Sequence, residues 1–219
     1  MLFKTKAIVL KSVKYGDSGL VTQFYTEEFG RQSVLVHGVR KRNSKLPFYL
    51  FEPLSLLDID IYYKENRDLQ KLKHAQTSII LNQIKSDIKK TSIALFISEI
   101  LYRCLKEIES NKTLFAYLFH AIQVLEMAHE GIENYHLIFL IQLSKFLGIF
   151  PKNNTEQFEF YKNPFWNDIF EFSLQDLKSI NLDQNQRQEF LNQLVNYYRN
   201  HMEGMGEIKS LQVLHEVFL

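Results

Sequence analysis

With 219 residues, 46% of them apolar and 14% aromatic, the chain has material for one generous domain or two small ones, and for a core that needs no covalent staples. Its single cysteine, Cys104, excludes an internal disulfide and any multi-cysteine metal site, and suits a reducing compartment. The formal charge of +1 hides an asymmetry: over the first fifty residues Lys4, Lys6, Lys11, Lys14, Arg31, Arg40, Lys41, Arg42 and Lys45 face only Asp17, Glu27 and Glu28, whereas the chain beyond residue 80 is mildly acidic. Such a split is expected when one module faces a polyanion and another faces protein.

The start, Met1 to Lys6, lacks the apolar run of a secretory signal, and the most apolar window, Leu137 to Leu147, is shorter than the roughly 20 residues that span a bilayer. A soluble cytoplasmic protein is expected. Ala7 to Val13 reads as a strand that stops at the turn cluster Tyr15-Gly16-Asp17-Ser18. Val21 to Tyr25 and Ser33 to Val36 follow, divided by Phe29-Gly30. Gly38 to Lys45 is then a basic loop, Arg40, Lys41, Arg42 and Lys45 falling within six positions, and reads as a mobile electropositive finger suited to phosphate. In Leu54 to Tyr63 the apolar Leu57, Ile59, Ile61 and Tyr63 alternate with Asp58, Asp60 and Tyr62, the pattern of a half-buried strand, and Leu69 to Ala75 closes the set. Five short strands in this length predict a small Greek-key barrel of the oligonucleotide-binding type over residues 1–78.

Beyond about Thr77 the apolar period changes from two to 3.6. Ile93, Phe96, Ile97, Ile100, Leu101, Cys104, Leu105 and Ile108 form one helical stripe, broken at Ser110-Asn111, and Phe115, Leu118, Phe119, Ile122 and Leu125 begin another that ends near Gly131. Tyr135 to Leu147 is apolar on nearly all sides, as a central helix is, and Gly148 and Pro151 stop it. Ser173-Leu174-Gln175-Asp176 and Asp183-Gln184-Asn185-Gln186 have capping-box spacing and predict two further helix starts. The fold class is therefore α+β, a five-stranded barrel over 1–78 followed by an all-α domain over 79–219.

Taken in order, Lys6-Ala7-Ile8-Val9-Leu10-Lys11, Tyr15-Gly16-Asp17-Ser18, Thr26-Glu27-Glu28-Phe29-Gly30-Arg31 and the basic loop resemble the amino-terminal domain of the RecO family of bacterial recombination mediators. Ser98-Glu99-Ile100-Leu101 is similar to that family's Glu-Leu-Leu helix, Phe115 to Leu118 to its next helix start, and Phe146 to Pro151 to its apolar helix ending at Gly and Pro. Ile208 to Leu214 resembles its closing Lys-Ser-x-x-x-Leu segment. One departure is plain: many members carry a four-cysteine zinc module here, but Lys152 to Trp166 contains no cysteine, so no zinc and no cofactor is expected. Phe158, Phe160, Tyr161, Phe165 and Trp166 would hold that region by packing instead.

The resemblance implies a non-enzymatic DNA-repair mediator. Such a protein binds single- and double-stranded DNA, anneals complementary strands, and acts with RecR to load RecA onto strands coated by the single-stranded-DNA-binding protein, with the nucleoid as its place of work during repair. It also implies an apolar pocket with a basic rim for the acidic, phenylalanine-ended tail of that coating protein. Lys85, Lys89, Lys90, Arg103, Lys106 and Lys112 are the candidate rim cations of the helical, partner-docking domain.

For DNA the candidates are Arg40, Lys41, Arg42 and Lys45, with Arg31, Lys14, Lys11 and Lys6 behind them, since strand lysines on an outer face are ordinary solubilising residues. Tyr15, Phe24, Tyr25 and Phe29 are candidates to stack bases, though an aromatic in a small barrel is ordinarily core. None of the seven histidines forms an i, i+4 pair, Asp58 and Asp60 are economically the wet face of a strand, Cys104 sits in an apolar stripe, and no phosphate-binding glycine loop occurs. No ATPase or nuclease is indicated. The competing readings are a protein–protein adaptor with an incidental basic loop and, more remotely, a nucleic-acid enzyme with an unrecognised site.

Overall fold

The computed structural model describes residues 1–41, 44, 46–150 and 168–218. Five strands, β1 (Leu2–Tyr15), β2 (Gly19–Thr26), β3 (Gly30–Val36), β4 (Leu56–Tyr62) and β5 (Leu69–Ile79), close into a barrel in the order β1-β2-β3-β5-β4. Neighbours are antiparallel except β3 and β5, which pair in parallel over Ser33–Leu35 and Leu69–Lys71. The chain reaches that parallel seam through β4, the Greek-key path of an oligonucleotide-binding barrel. The alternation read in β4 is what the barrel uses: Leu57, Ile59 and Ile61 are buried with Val9, Phe24, Val34 and Val36, and Asp58 and Asp60 are half-exposed. In β1 the register slips between Val9 and Lys11, so Leu10 is an extra, buried residue whose carbonyl accepts from the Ser98 hydroxyl.

Helices follow: α1 (Asn82–Ser86), α2 (Ile88–Cys104), α3 (Lys112–Met127), α4 (Tyr135–Phe146), α5 (Gln184–His201) and α6 (Ser210–Val217). The chain divides into two compact units, one of Met1–Asn82 with Ala94–Ile122, the other of Gln83–Ile93 with Gln123–Leu219.

In the barrel's unit, Tyr25 stacks on Phe115 at 6.2 Å between centroids, Ser110 Oγ donates to the Glu27 carbonyl at 2.7 Å, and Arg31 N donates to the Glu107 carbonyl at 3.0 Å. Gly30 is required here: it sits at φ 56°, and a Cβ would lie 2.3 Å from the Glu109 carbonyl oxygen. The stripe predicted to run through Ile108 ends earlier. Helix α2 stops at Cys104, and Ile108, 69% exposed, lies in the link to α3. The Arg31 guanidinium takes the carbonyls of Tyr102 and Leu105, which would otherwise be orphans of a helix end, and turns the chain back along the barrel.

In the other unit, α4 is buried on nearly every side, as its composition predicts. Tyr198 Oη on α5 donates to the Leu140 carbonyl at 2.6 Å, and Asn134 Nδ2 ties the carbonyls of Leu177 and Ile180. The box at Asp183 starts α5 with both of its reciprocal hydrogen bonds. The same spacing at Ser173 starts no α-helix. There the Asp176 carboxylate accepts from both N and Oγ of Ser173, closing a turn on itself before a short 3-10 stretch, Leu177–Ser179. Lys152 to Trp166, with the aromatic packing expected of it, lies outside the described residues.

Candidate nucleic-acid interface

Beyond Val36 the chain leaves β3 through Gly38, at φ 71°, into the basic loop. The start of that loop is pinned rather than free. Val39 is buried in the barrel core, Arg40 N donates to the Ser18 carbonyl at 3.1 Å, the Arg40 guanidinium donates to the Gly16 carbonyl, and Lys41 N closes a turn on the Gly38 carbonyl at 3.2 Å. The backbone at Arg40 is thereby bound to the tip of the β1–β2 hairpin, while the side chains of Arg40 and Lys41 are exposed. Lys14, near the end of β1, is exposed at the same barrel end. Arg42 and Lys45 lie outside the described residues.

The remaining DNA candidates are built into the barrel wall. Lys6 Nζ meets Asp58 Oδ1 and Ser78 Oγ, each at 3.1 Å. Lys11 Nζ stands 4.5 Å from the centroid of the Tyr102 ring, and the Arg31 guanidinium, beside its two helix-end carbonyls, stacks over the same ring at 4.6 Å. Of the aromatic candidates, Phe24 and Tyr25 are core, and Phe29 stacks on Tyr63 at 4.3 Å. Tyr15 is exposed on the hairpin. Sequence reasoning missed Phe48 and Tyr49, both exposed in a 3-10 turn whose other members, Leu50 and Phe51, are buried. An unbroken apolar run gives no signal for which half faces out.

The candidate rim cations are divided between the two compact units. Lys85 and Lys89 are exposed on α1 and α2, with Lys89 Nζ 5.6 Å from the Phe218 ring centroid. Lys90 is no rim residue: it is buried, its ammonium donates to the Glu126 carbonyl at 2.6 Å, and desolvation holds its pKa below the ordinary lysine value. In the barrel's unit, Arg103 pairs with Glu99 at 3.4 Å and Lys112 with Glu28 at 2.8 Å. Lys106 joins Arg31 and Arg67 around an open cleft of about 230 Å3, where Glu65 and Asp68 interrupt the positive charge. In the helical unit, a cavity of about 30 Å3 lies among His136, Arg187, Leu191, Leu214, His215 and Phe218. His136 is buried, and its pKa is pushed down to about 3, first by desolvation and then by the charges of Arg187 and His215.

Cys104 is buried, which pushes its thiol up to about 12, outside the range of a reactive thiolate. Among the described residues no group of three or more His, Cys, Asp or Glu side chains is arranged to hold a metal ion, and no helix is long and apolar enough to cross a membrane.

Residues 1–79 match the family model for the N terminus of recombination protein O, and residues 85–156 match the model for its C terminus. Over the whole of both chains the sequence is 34% identical to the DNA repair protein RecO of Azobacteroides pseudotrichonymphae. It is 33% identical, again over the whole of both chains, to the proteins of that name from Phocaeicola vulgatus and Flavobacterium psychrophilum.

Proposed function

We propose, since this chain belongs to the RecO family of DNA repair proteins, that it is a non-enzymatic mediator which binds single- and double-stranded DNA through the barrel end bearing Lys14, Arg40 and Lys41. It anneals complementary strands and, with RecR, helps to load RecA onto strands coated by the single-stranded-DNA-binding protein. The observation that carries the DNA contact is the pinned start of the loop: Arg40 is held to the hairpin tip while the side chains of Arg40 and Lys41 are exposed. A fixed cluster of cations screens phosphate repulsion between strands, and annealing needs no bond to be made or broken. Arg42 and Lys45 add to the same loop in sequence.

Partner docking is assigned to the helical unit. A short acidic tail ending in an aromatic carboxylate needs a cation for its terminus and an apolar slot for its ring. Of the candidate rim cations, Lys85 and Lys89 are the ones exposed in this unit, and they suit the first need. Affinity in the micromolar range, about −8 kcal/mol, is expected for the tail peptide, weakened by salt and lost with its terminal Phe.

Anisotropy titration of a labelled single strand at two salt concentrations tests the DNA reading. The logarithm of affinity should fall against the logarithm of salt with a slope of about 0.7 per phosphate bound. Absence of binding at low salt would sink it and favour the adaptor reading. Calorimetry of the full chain with the tail peptide tests the docking reading in the same way.

A further inference from the structure

The turn Phe48–Phe51 is the least expected feature of the barrel end. Strand β1 pairs with β4 only from Leu2 to Ile8, so from Val9 on its edge on that side is left by β4. The chain after the basic loop fills this edge: Leu54 N donates to the Val9 carbonyl at 2.8 Å, Val9 N to the Ser55 carbonyl at 3.0 Å, and Ser12 Oγ to the Phe51 carbonyl at 2.8 Å. Leu50 and Phe51 enter the core, where Phe51 packs edge-on to Phe24 at 6.4 Å. With Pro47 at φ −66° before it and Leu50 N bonded to the Pro47 carbonyl, the turn is fixed at both ends. Yet Phe48 is 49% and Tyr49 54% exposed. A fixed turn thus leaves two consecutive aromatic residues half exposed.

The charge around them is not neutral. Ser12 contacts Thr22, which is wholly buried, so it lies on the inward face of β1; Lys14, two residues on and opposite the buried Leu20, shares that face. Lys14 therefore belongs to the side of the hairpin on which the turn lies, whereas Val13 and Tyr15 belong to the other. Arg40 and Lys41 precede the turn. Along the described chain from Lys14 to Glu52 at this end, Asp17 lies on the hairpin tip and Glu52 closes the turn. Half-exposed rings on the hairpin side that carries Lys14, at a basic barrel end, suit a ligand that offers flat apolar faces along a chain of negative charge, which describes a single-stranded nucleic acid and not a duplex, whose bases are already stacked.

We propose that Phe48 and Tyr49 form a stacking platform for the unpaired bases of single-stranded DNA, with Lys14, Arg40 and Lys41 holding the adjoining phosphates. This rests on the DNA contact proposed above and assigns to it a preference for single strands. The platform differs from a purely electrostatic surface in one measurable respect. It distinguishes strands with bases from strands without them.

The test compares, by anisotropy at one salt concentration, an oligothymidine, an abasic oligomer of the same length and a duplex. The full-length wild-type protein is measured beside Phe48→Ala/Tyr49→Ala. Wild type should bind the oligothymidine roughly tenfold or more above the abasic chain, in line with the worth of one stacked base. The double variant should lose that margin while keeping its affinity for the abasic chain, its salt slope and its circular dichroism spectrum. Equal binding of oligothymidine and abasic chain by wild type overturns the platform without touching the DNA reading, and needs no variant. A folded double variant that retains the margin overturns it as well. Failure of wild type to bind any of the three would remove the DNA reading and the platform together.

Discussion

Lys6 and Arg31 on the barrel wall, and Lys14, Arg40 and Lys41 at the barrel end, come from one basic stretch of sequence, yet the barrel treats them differently. On the wall each cation closes something: Lys6 joins Asp58 and Ser78, and Arg31 ends α2 while stacking on Tyr102. At the end, Arg40 closes on the Gly16 carbonyl in the same way, whereas the exposed side chains of Lys41 and Lys14 are left to the solvent side. A count of positive charges does not tell a binding surface from a set of internal ties. What separates them is whether a carbonyl or carboxylate of the fold already fills the cation's hydrogen-bonding directions.

This difference can be broken from the wall side first. Gly30→Ala should be the most damaging change, about 3 kcal/mol or more, because the new Cβ meets the Glu109 carbonyl in a left-handed turn. Urea unfolding that shifts by less than about 1 kcal/mol would show that the turn relaxes freely. Arg31→Ala removes two charge-assisted hydrogen bonds and a ring contact and should cost about 2 to 3 kcal/mol, with any drop in DNA affinity following the loss of fold. A stable Arg31→Ala protein that binds DNA poorly would move Arg31 from the wall set to the binding set.

The helical unit supplies a contrast in one buried group, His136, that is kept uncharged. His136 has a folded pKa of about 3 against an unfolded value of 6.5, so between these values the unfolded chain takes up a proton that the folded one does not. Stability is therefore full above about pH 6.5 and falls as the pH drops towards 3, by about 1.4 kcal/mol per pH unit from this group. Urea melts between pH 6 and pH 5 should show that slope, and His136→Gln should reduce it by one proton's worth. The smallest effect on stability belongs to the end: replacing Arg40, Lys41, Arg42 and Lys45 together by Ala should change it by about 1 kcal/mol, chiefly through the exposed Arg40–Gly16 hydrogen bond, while the salt slope for single strands falls by about 0.7 for each phosphate no longer bound. An unchanged slope would place the DNA interface elsewhere.

Much of the fold is legible because its determinants are local. Alternation in Leu57 to Tyr63 marks β4, and the box at Asp183 marks the start of α5. The Ser173 box misleads for the same reason. Its spacing is right, but the Asp176 carboxylate is bound back to Ser173, and nothing in the spacing reveals that. The sites are less legible because they depend on partners far away in sequence. Lys89 and Lys90 are neighbours of one type, yet roughly 100° of helical rotation leaves one exposed and sends the other to the Glu126 carbonyl. Arg31 reads as a free strand cation until its two carbonyls, more than seventy residues on, are in view.

The seam between β3 and β5 has a dynamic consequence. Only Ser33 to Leu35 pair there with Leu69 to Lys71, whereas β1 and β2 are paired from Ala7–Thr26 to Tyr15–Gly19. Local opening follows the line of fewest bonds, so the barrel should breathe along this parallel edge. Those backbone amides of Ser33 to Leu35 that point across the seam would then trade hydrogen for deuterium sooner than those in the middle of β2. For as long as such an opening lasts, the barrel is a curled sheet with two bare rims, able to accept a strand from another chain.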